Sequence, residues 1–190
     1  NDAFVEPGAL DVLLEELQRD DRVGVVGPRV LAVEPGSDRI LDDGMLTIPW
    51  LMQQRGRHVG QTAGTCPPGD PIAVDYVNGT CLMIRWDLWR KLGELDEVFF
   101  AYFEDWDLSL RAREGGSLCR HVPRATIRHR HAATAGQGSR LLHFLLTRNR
   151  VLMARKHLNG MIFVCVFLPY FLMSRVLFKS LQLAASGRFA

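Results

Sequence analysis

Apolar and polar positions along this chain change period several times, and each change predicts an element. In PGALDVLLEELQRD, Leu10, Leu13, Leu14 and Leu17 recur at helical spacing with Pro7 near the start, which predicts a helix with one apolar face. RVGVVGPRV reads as a short buried strand from Arg22 to Val26, closed by Gly27-Pro28. Residues 34 to 72 lose periodicity and are rich in Gly, Pro and Asp, which predicts a long irregular excursion of the kind that often carries function. YVNGTCLMIR supplies a second strand ending at Arg85, and DLWRKLG a short helix capped by Asp87 and stopped by Gly93. A helix over 104–114 closed by Gly115-Gly116, two short strand pieces around Pro123, and a long basic helix from Leu141 to His157 follow. The alternating order is that of an α/β fold, without repeats.

The last segment, LNGMIFVCVFLPYFLMSRVLF, holds thirteen uninterrupted apolar residues from Met161 to Met173. That is short of the roughly 20 residues a spanning helix needs. With Arg148, Arg150, Arg155 and Lys156 just ahead of it, the pattern fits a helix lying in a membrane interface, residues 159–182 serving as a peripheral contact or anchor. A buried core helix is the competing reading.

Composition sharpens this division. The first 114 residues carry all 21 acidic residues against 11 basic ones; the remainder carries twelve Lys or Arg and no acid. A basic half suits an anionic partner, either a phosphate-bearing substrate or an anionic membrane surface, or else it is a solvated helix face. It lacks interleaved exposed aromatics or a recognisable recognition motif, which argues against nucleic acid as the partner. Cys66, Cys81, Cys119 and Cys165 show no CxxC spacing, which argues against a zinc ribbon and for reduced thiols in a cytosolic setting. The chain opens with Asn and shows no signal peptide. Residues 1–140 therefore read as one α/β unit and 141–190 as a basic helix with an apolar tail.

The chemistry concentrates in FFAYFEDWDLSLR, residues 99–111, where Glu104, Asp105 and Asp107 follow a run of aromatic residues. Carboxylates favour the first turn of a helix, where they offset exposed N–H groups and the dipole. Set against an aromatic ridge, however, a carboxylate is desolvated and becomes a stronger base. Gly79 in YVNGT permits close backbone approach, and His129 in IRHRHAATAG is a candidate ligand. These are the residue types of a metal-assisted transfer site.

The stretch VDYVNGTCLMIRWDLWRKLGELDEVFFAYFEDWDLSLRAREGGSLCRHVPRATIRHRHAATAG resembles the C-terminal half of family-2 glycosyltransferases, in particular the bacterial rhamnosyltransferase-like branch. NDAFVEPGAL resembles the end of that family's DxD metal motif, FEDWDL its acidic base motif and IRHRHAATAG its histidine segment, with His131-Ala132 where relatives carry Gly-Ser. The resemblance, from Asn1 to about Lys156, implies a partial GT-A fold, a nucleotide-sugar donor and a saccharide or lipid-linked saccharide acceptor. It implies inverting transfer in cell-envelope polysaccharide synthesis, at the cytoplasmic face of the membrane. Asp105 would be the general base with Glu104 beside it, and Asn78, Gly79, Thr80, Trp106 and Asp107 would receive the acceptor. Asp2 and His129 would bind a divalent cation, Mg2+ or Mn2+. The family's donor-binding half precedes the metal motif and is expected to be missing here, which would leave this chain alone inactive. A non-catalytic membrane-surface module is the alternative, its acids merely starting helices.

Overall fold

The computed structural model describes residues 2–33, 38–130, 140–174 and 177. Two long strands form its spine, β2 (Val23–Ala32) and β8 (Leu118–His129), paired in parallel. All ten residues of β2 are buried, as expected for a strand covered on both faces. The other strands add antiparallel: β1 (Ala3–Val5) and β6 (Ile72–Val74) on β8, β3 (Ile40–Asp42) and β7 (Met83–Ile84) on β2. A separate hairpin, β4 (Met45–Ile48) with β5 (Gln53–Gly56), rises from the segment expected to be irregular.

The strand expected to close at Gly27-Pro28 instead continues to Ala32. The two expected pieces around Pro123 are likewise one strand. Both prolines fall at one irregularity: Pro28 pairs with Val122, whereas Arg29 pairs with Thr126, so β8 bulges over Pro123–Ala125. A bulge accommodates the missing N–H donors, and the ladder resumes beyond it.

Helix α1 (Ala9–Arg19) buries Ala9, Leu13, Glu16 and Leu17 against β2 and β8. The buried face is rotated from the expected one, leaving Leu10 and Leu14 about half exposed. Glu16, buried in that interface, is neutralised by Arg120 from β8. Helices α2 (Trp86–Leu92) and α3 (Glu104–Glu114) contribute Leu88 and Ala112 to a second cluster with Val25, Val77 and Cys119. Asp87 lies in the first turn of α2, not at its cap, which is Arg85.

The C-terminal helices share the largest apolar cluster. Helix α4 (Arg140–His157) buries Met153 and Ala154 beside Trp106, Phe99 and Phe103. Asn159 caps the next helix by accepting from the Ile162 N–H at 2.8 Å. This helix begins as α5 (Gly160–Ile162), widens to a π-turn over Phe163–Phe167 and stays helical through Ser174. Phe163, Phe167 and Phe171 stack at centroid spacings of 5.6 and 5.4 Å and sink into the same cluster. The opposite face is apolar and exposed, with Met161 at 78% and Val164, Leu172 and Met173 each above half. The expected interfacial tail is therefore half core helix and half open surface. No helix among the described residues is long and apolar enough to cross a membrane.

The basic character of α4 is also largely engaged within the fold. Arg148 and Arg150 donate to carbonyls of Val98, Phe99 and Leu51, and Lys156 bridges Asp96 and Asp107 at 2.7 Å each. Arg150 and Arg155 lie over the tail aromatics Phe171 and Phe163 at 5.8 and 5.6 Å. Arg175, Lys179 and Arg188 lie outside the described residues.

Candidate active site

A cavity of about 940 Å3 opens where β2, β3 and β8 end, bounded by the turn 78–80 and residues 102–105. Asn78 shapes the turn: its Oδ1 accepts from the Thr80 N–H at 2.9 Å and from the Thr80 hydroxyl at 2.7 Å. The Gly79 N–H then donates to Asp105 Oδ2 at 2.7 Å. The Trp106 N–H donates to Asp105 Oδ1, also at 2.7 Å. Burial raises the Asp105 carboxyl above the usual aspartate range, against these backbone hydrogen bonds, which favour the charge. The carboxylate is thus oriented by two amides and poorly hydrated.

Glu104 stands beside it on the cavity wall. Burial and the neighbouring Asp105 raise its carboxyl too, and its Oε2 is buried without a hydrogen-bond partner. Asp42, which sequence reasoning missed, lines the same cavity; burial and the charges of Asp43 and Asp105 push it up. Tyr76 lies there as well, and burial keeps its hydroxyl protonated. Behind them a buried ion cluster fixes the β3–β4 corner. Asp43 receives Arg29 at 2.6 and 2.9 Å, His58 at 2.6 Å and His121 at 3.0 Å. Burial alone would raise Asp43, but hydrogen bonds from His121, Arg29 and His58 hold it far below the carboxylate range. Both aspartates fell in the stretch without periodicity, where only the Asp-Asp-Gly corner hinted at them.

Two expected acceptor residues are not at the cavity. Trp106 is 1% exposed and stacked between Tyr76 and Phe103, at centroid spacings of 5.4 and 5.5 Å. Asp107 is fully buried and bound by Arg111, Lys156 and His157 at 2.7–2.8 Å. Glu104 and Asp105 face the cavity, whereas Trp106 is held in its aromatic stack and Asp107 is drawn inward by Arg111, Lys156 and His157.

Asp2 and His129 do come together. β1 pairs with the end of β8, Ala3 opposite His129, and Asp2 Oδ2 lies 3.4 Å from His129 Nε2. Despite some desolvation, its backbone hydrogen bond and the His129 charge hold Asp2 below the usual range. An oxygen and an imidazole nitrogen at this spacing suit one hard cation as two of its ligands. Among the described residues no group of three or more His, Cys, Asp or Glu could hold a metal ion. Asn1 and the His131-Ala132 segment lie outside the described residues.

A parallel strand pair with helices on both sides and a cavity at the strand ends is an α/β arrangement, and the structural comparison identifies the fold as GT-A-type. The structure of "GalNAc-T7 with UDP, GalNAc and Mn2+" superposes with a TM-score of 0.56 and 17% identity, over 80% of this chain and 30% of that one. The chain is also homologous to the "N-acetylglucosaminyl-diphospho-decaprenol L-rhamnosyltransferase" of two Mycobacterium tuberculosis strains, CDC 1551 / Oshkosh and ATCC 25618 / H37Rv. It is 28% identical to each over a 146-residue alignment. That alignment covers 69% of this chain and 45% of the relative, so the chain spans less than half the relatives' length. No family model matches. The resemblance read from the motifs therefore holds: the chain carries part of a GT-A fold and is related to rhamnosyltransferases.

Proposed function

We propose that the complete protein transfers a sugar from a nucleotide-diphosphate donor to a saccharide acceptor on a lipid diphosphate carrier, with inversion at the anomeric carbon. The observation that carries this reading is Asp105: a desolvated carboxylate on a cavity wall, aimed by the Gly79 and Trp106 amides. In that position it takes the proton from an acceptor hydroxyl while the hydroxyl oxygen bonds to the anomeric carbon. The bond from that carbon to the diphosphate oxygen breaks in the same displacement, so the configuration inverts. Glu104, Asp42 and the turn 78–80 supply hydrogen-bond acceptors and donors around the incoming sugar. Asp2 and His129 would hold a divalent cation, Mg2+ or Mn2+, which neutralises charge on the departing diphosphate.

The relative's name describes transfer to a decaprenol-linked acceptor, and a site near the cytoplasmic bilayer surface suits such a substrate. The exposed apolar face of the tail helix supports membrane contact more than charge does, because Arg148, Arg150 and Lys156 are engaged within the fold. Asp105→Asn in the full-length protein tests the central assignment: kcat falls about a thousandfold or more with the melting temperature unchanged, because an amide cannot accept the proton. The wild-type rate should fall on the acid side at a pH above about 4, since the folded pKa is raised and a base works only when deprotonated. A variant that keeps more than about a tenth of the wild-type rate removes Asp105 as the base.

A further inference from the structure

The aromatic run ahead of Glu104 is bent in a way its own residues disfavour. Phe100, Tyr102 and Phe103 have φ of +62°, +68° and +79°, a region costly for aromatic L-residues, and no glycine lies between Phe99 and Phe103. The bend sorts the side chains. Phe99 and Phe103 point into the core, Tyr102 lines the cavity, and Phe100 is 78% exposed. Phe103 is also the N-cap of α3, so the same backbone sets where that helix starts and where Asp105 stands.

What holds the bend is a side chain from 47–50 residues further along the chain. Asn149, fully buried on α4, sets Nδ2 at 2.9, 2.8 and 2.7 Å from the carbonyls of Phe99, Ala101 and Tyr102, which share its two N–H donors. Its Oδ1 accepts from Arg148 Nε at 2.9 Å, which fixes the amide orientation. Arg148 Nη2 adds bonds to the Val98 and Phe99 carbonyls at 2.8 and 2.9 Å. Four of the five residues 98–102, all but Phe100, thus present carbonyls to one Arg-Asn pair.

We propose that Asn149, supported by Arg148, is a positioning residue for transfer. It holds residues 99–103 in the bent conformation, with positive φ at Phe100, Tyr102 and Phe103, that presents the Asp105 carboxylate and the Tyr102 ring to the cavity. The proposal rests on Asp105 as the base. It adds that α4, which supplies no group to the cavity's carboxylates, determines their alignment.

The full-length protein carrying Asn149→Ala is compared with Arg148→Met, with Asp105→Asn and with the double variant Asn149→Ala/Phe100→Gly. Asn149→Ala should lower kcat about 10- to 100-fold, the scale of a misplaced catalytic group, with KM for the donor changed less than about twofold. Amide exchange at residues 99–105 should quicken, and the acid limb of the rate profile should move to lower pH as water reaches Asp105. Arg148→Met, which leaves the buried amide in place and so folds readily, should show the same changes at several-fold size. Glycine at position 100 relieves part of the strain and should recover part of the lost kcat, whereas alanine there should not. If Asn149→Ala and Arg148→Met keep kcat and the pH profile while Asp105→Asn is inactive, the positioning role is overturned and the base stands. The same holds if exchange quickens without a change in rate. If Asp105→Asn itself keeps its rate, the base assignment fails and this inference with it.

Discussion

A methyl group added at position 79 would sit 3.1 Å from Asp105 Cβ and 3.4 Å from its Oδ2, tighter than ordinary packing allows. The absence of a side chain there lets the Gly79 N–H come close to the carboxylate. Gly79→Ala should push the two apart by a few tenths of an ångström and lower kcat about tenfold, with little change in melting temperature, as steady-state kinetics beside thermal melts will show. This pairing was partly legible beforehand. Gly79, Glu104 and Asp105 stand out as residue types, and the structure brings them together. Asp42 lies outside any periodic pattern, and Asn149 lies in a helix noted only for its basic residues, with partners distant in sequence. Trp106 and Asp107 were expected at the acceptor from the motif they share with Glu104 and Asp105, but the aromatic stack and the ion pairs that hold them inside come from residues distant in sequence.

Among elements, α3 was the most readable: acids in its first turn and Gly115-Gly116 at its end fix both bounds as observed. Strand β2 was cut short because Pro28 reads as a terminator, and only its bulged partner shows how the ladder survives. What joins α3 to α4 is charge. Burial would raise Asp107, yet hydrogen bonds from His157, Lys156 and Arg111 hold it at about 2. A carboxyl depressed on folding contributes stability above its unfolded pKa of about 4, lost as pH falls toward 2. His157 has the opposite sign: burial lowers it, but Asp107 and Glu114 outweigh that and raise it. Its contribution is full below about pH 6.5 and fades as pH rises through the raised folded value. Asp107→Asn leaves Arg111, Lys156 and His157 facing a neutral amide. It should cost about 3–5 kcal/mol in chemical denaturation at pH 7 and flatten the acid loss between about pH 4 and 2. An unchanged acid profile would mean that the stability resides elsewhere.

For the whole molecule, the tail's two faces make separable predictions. Phe167 is fully buried, so Phe167→Ala should destabilise by about 3–5 kcal/mol. Val164 and Leu172 are 57% and 58% exposed. Replacing both with Ser should leave stability intact and weaken binding to anionic vesicles about tenfold or more, measured by co-sedimentation. The salt dependence should be shallow, because most described basic residues of α4 already have partners within the protein. Vesicle binding indifferent to Val164 and Leu172 would assign the open face another role. The apolar run in the sequence announced a helix but could not reveal its two faces, since Phe163, Phe167 and Phe171 are no more apolar than their neighbours.

The grip of Asn149 on residues 99–102 also orders events during synthesis. Ribosomes deliver Glu104 and Asp105 several seconds before α4, at about 5–20 residues per second. Until α4 emerges, the Ala101 and Tyr102 carbonyls lack the Asn149 amide that meets them in the folded protein. The carboxylates are thus translated early and set late. A nascent chain halted before residue 140 should carry its aromatic run open to chaperones, with the cavity still unformed.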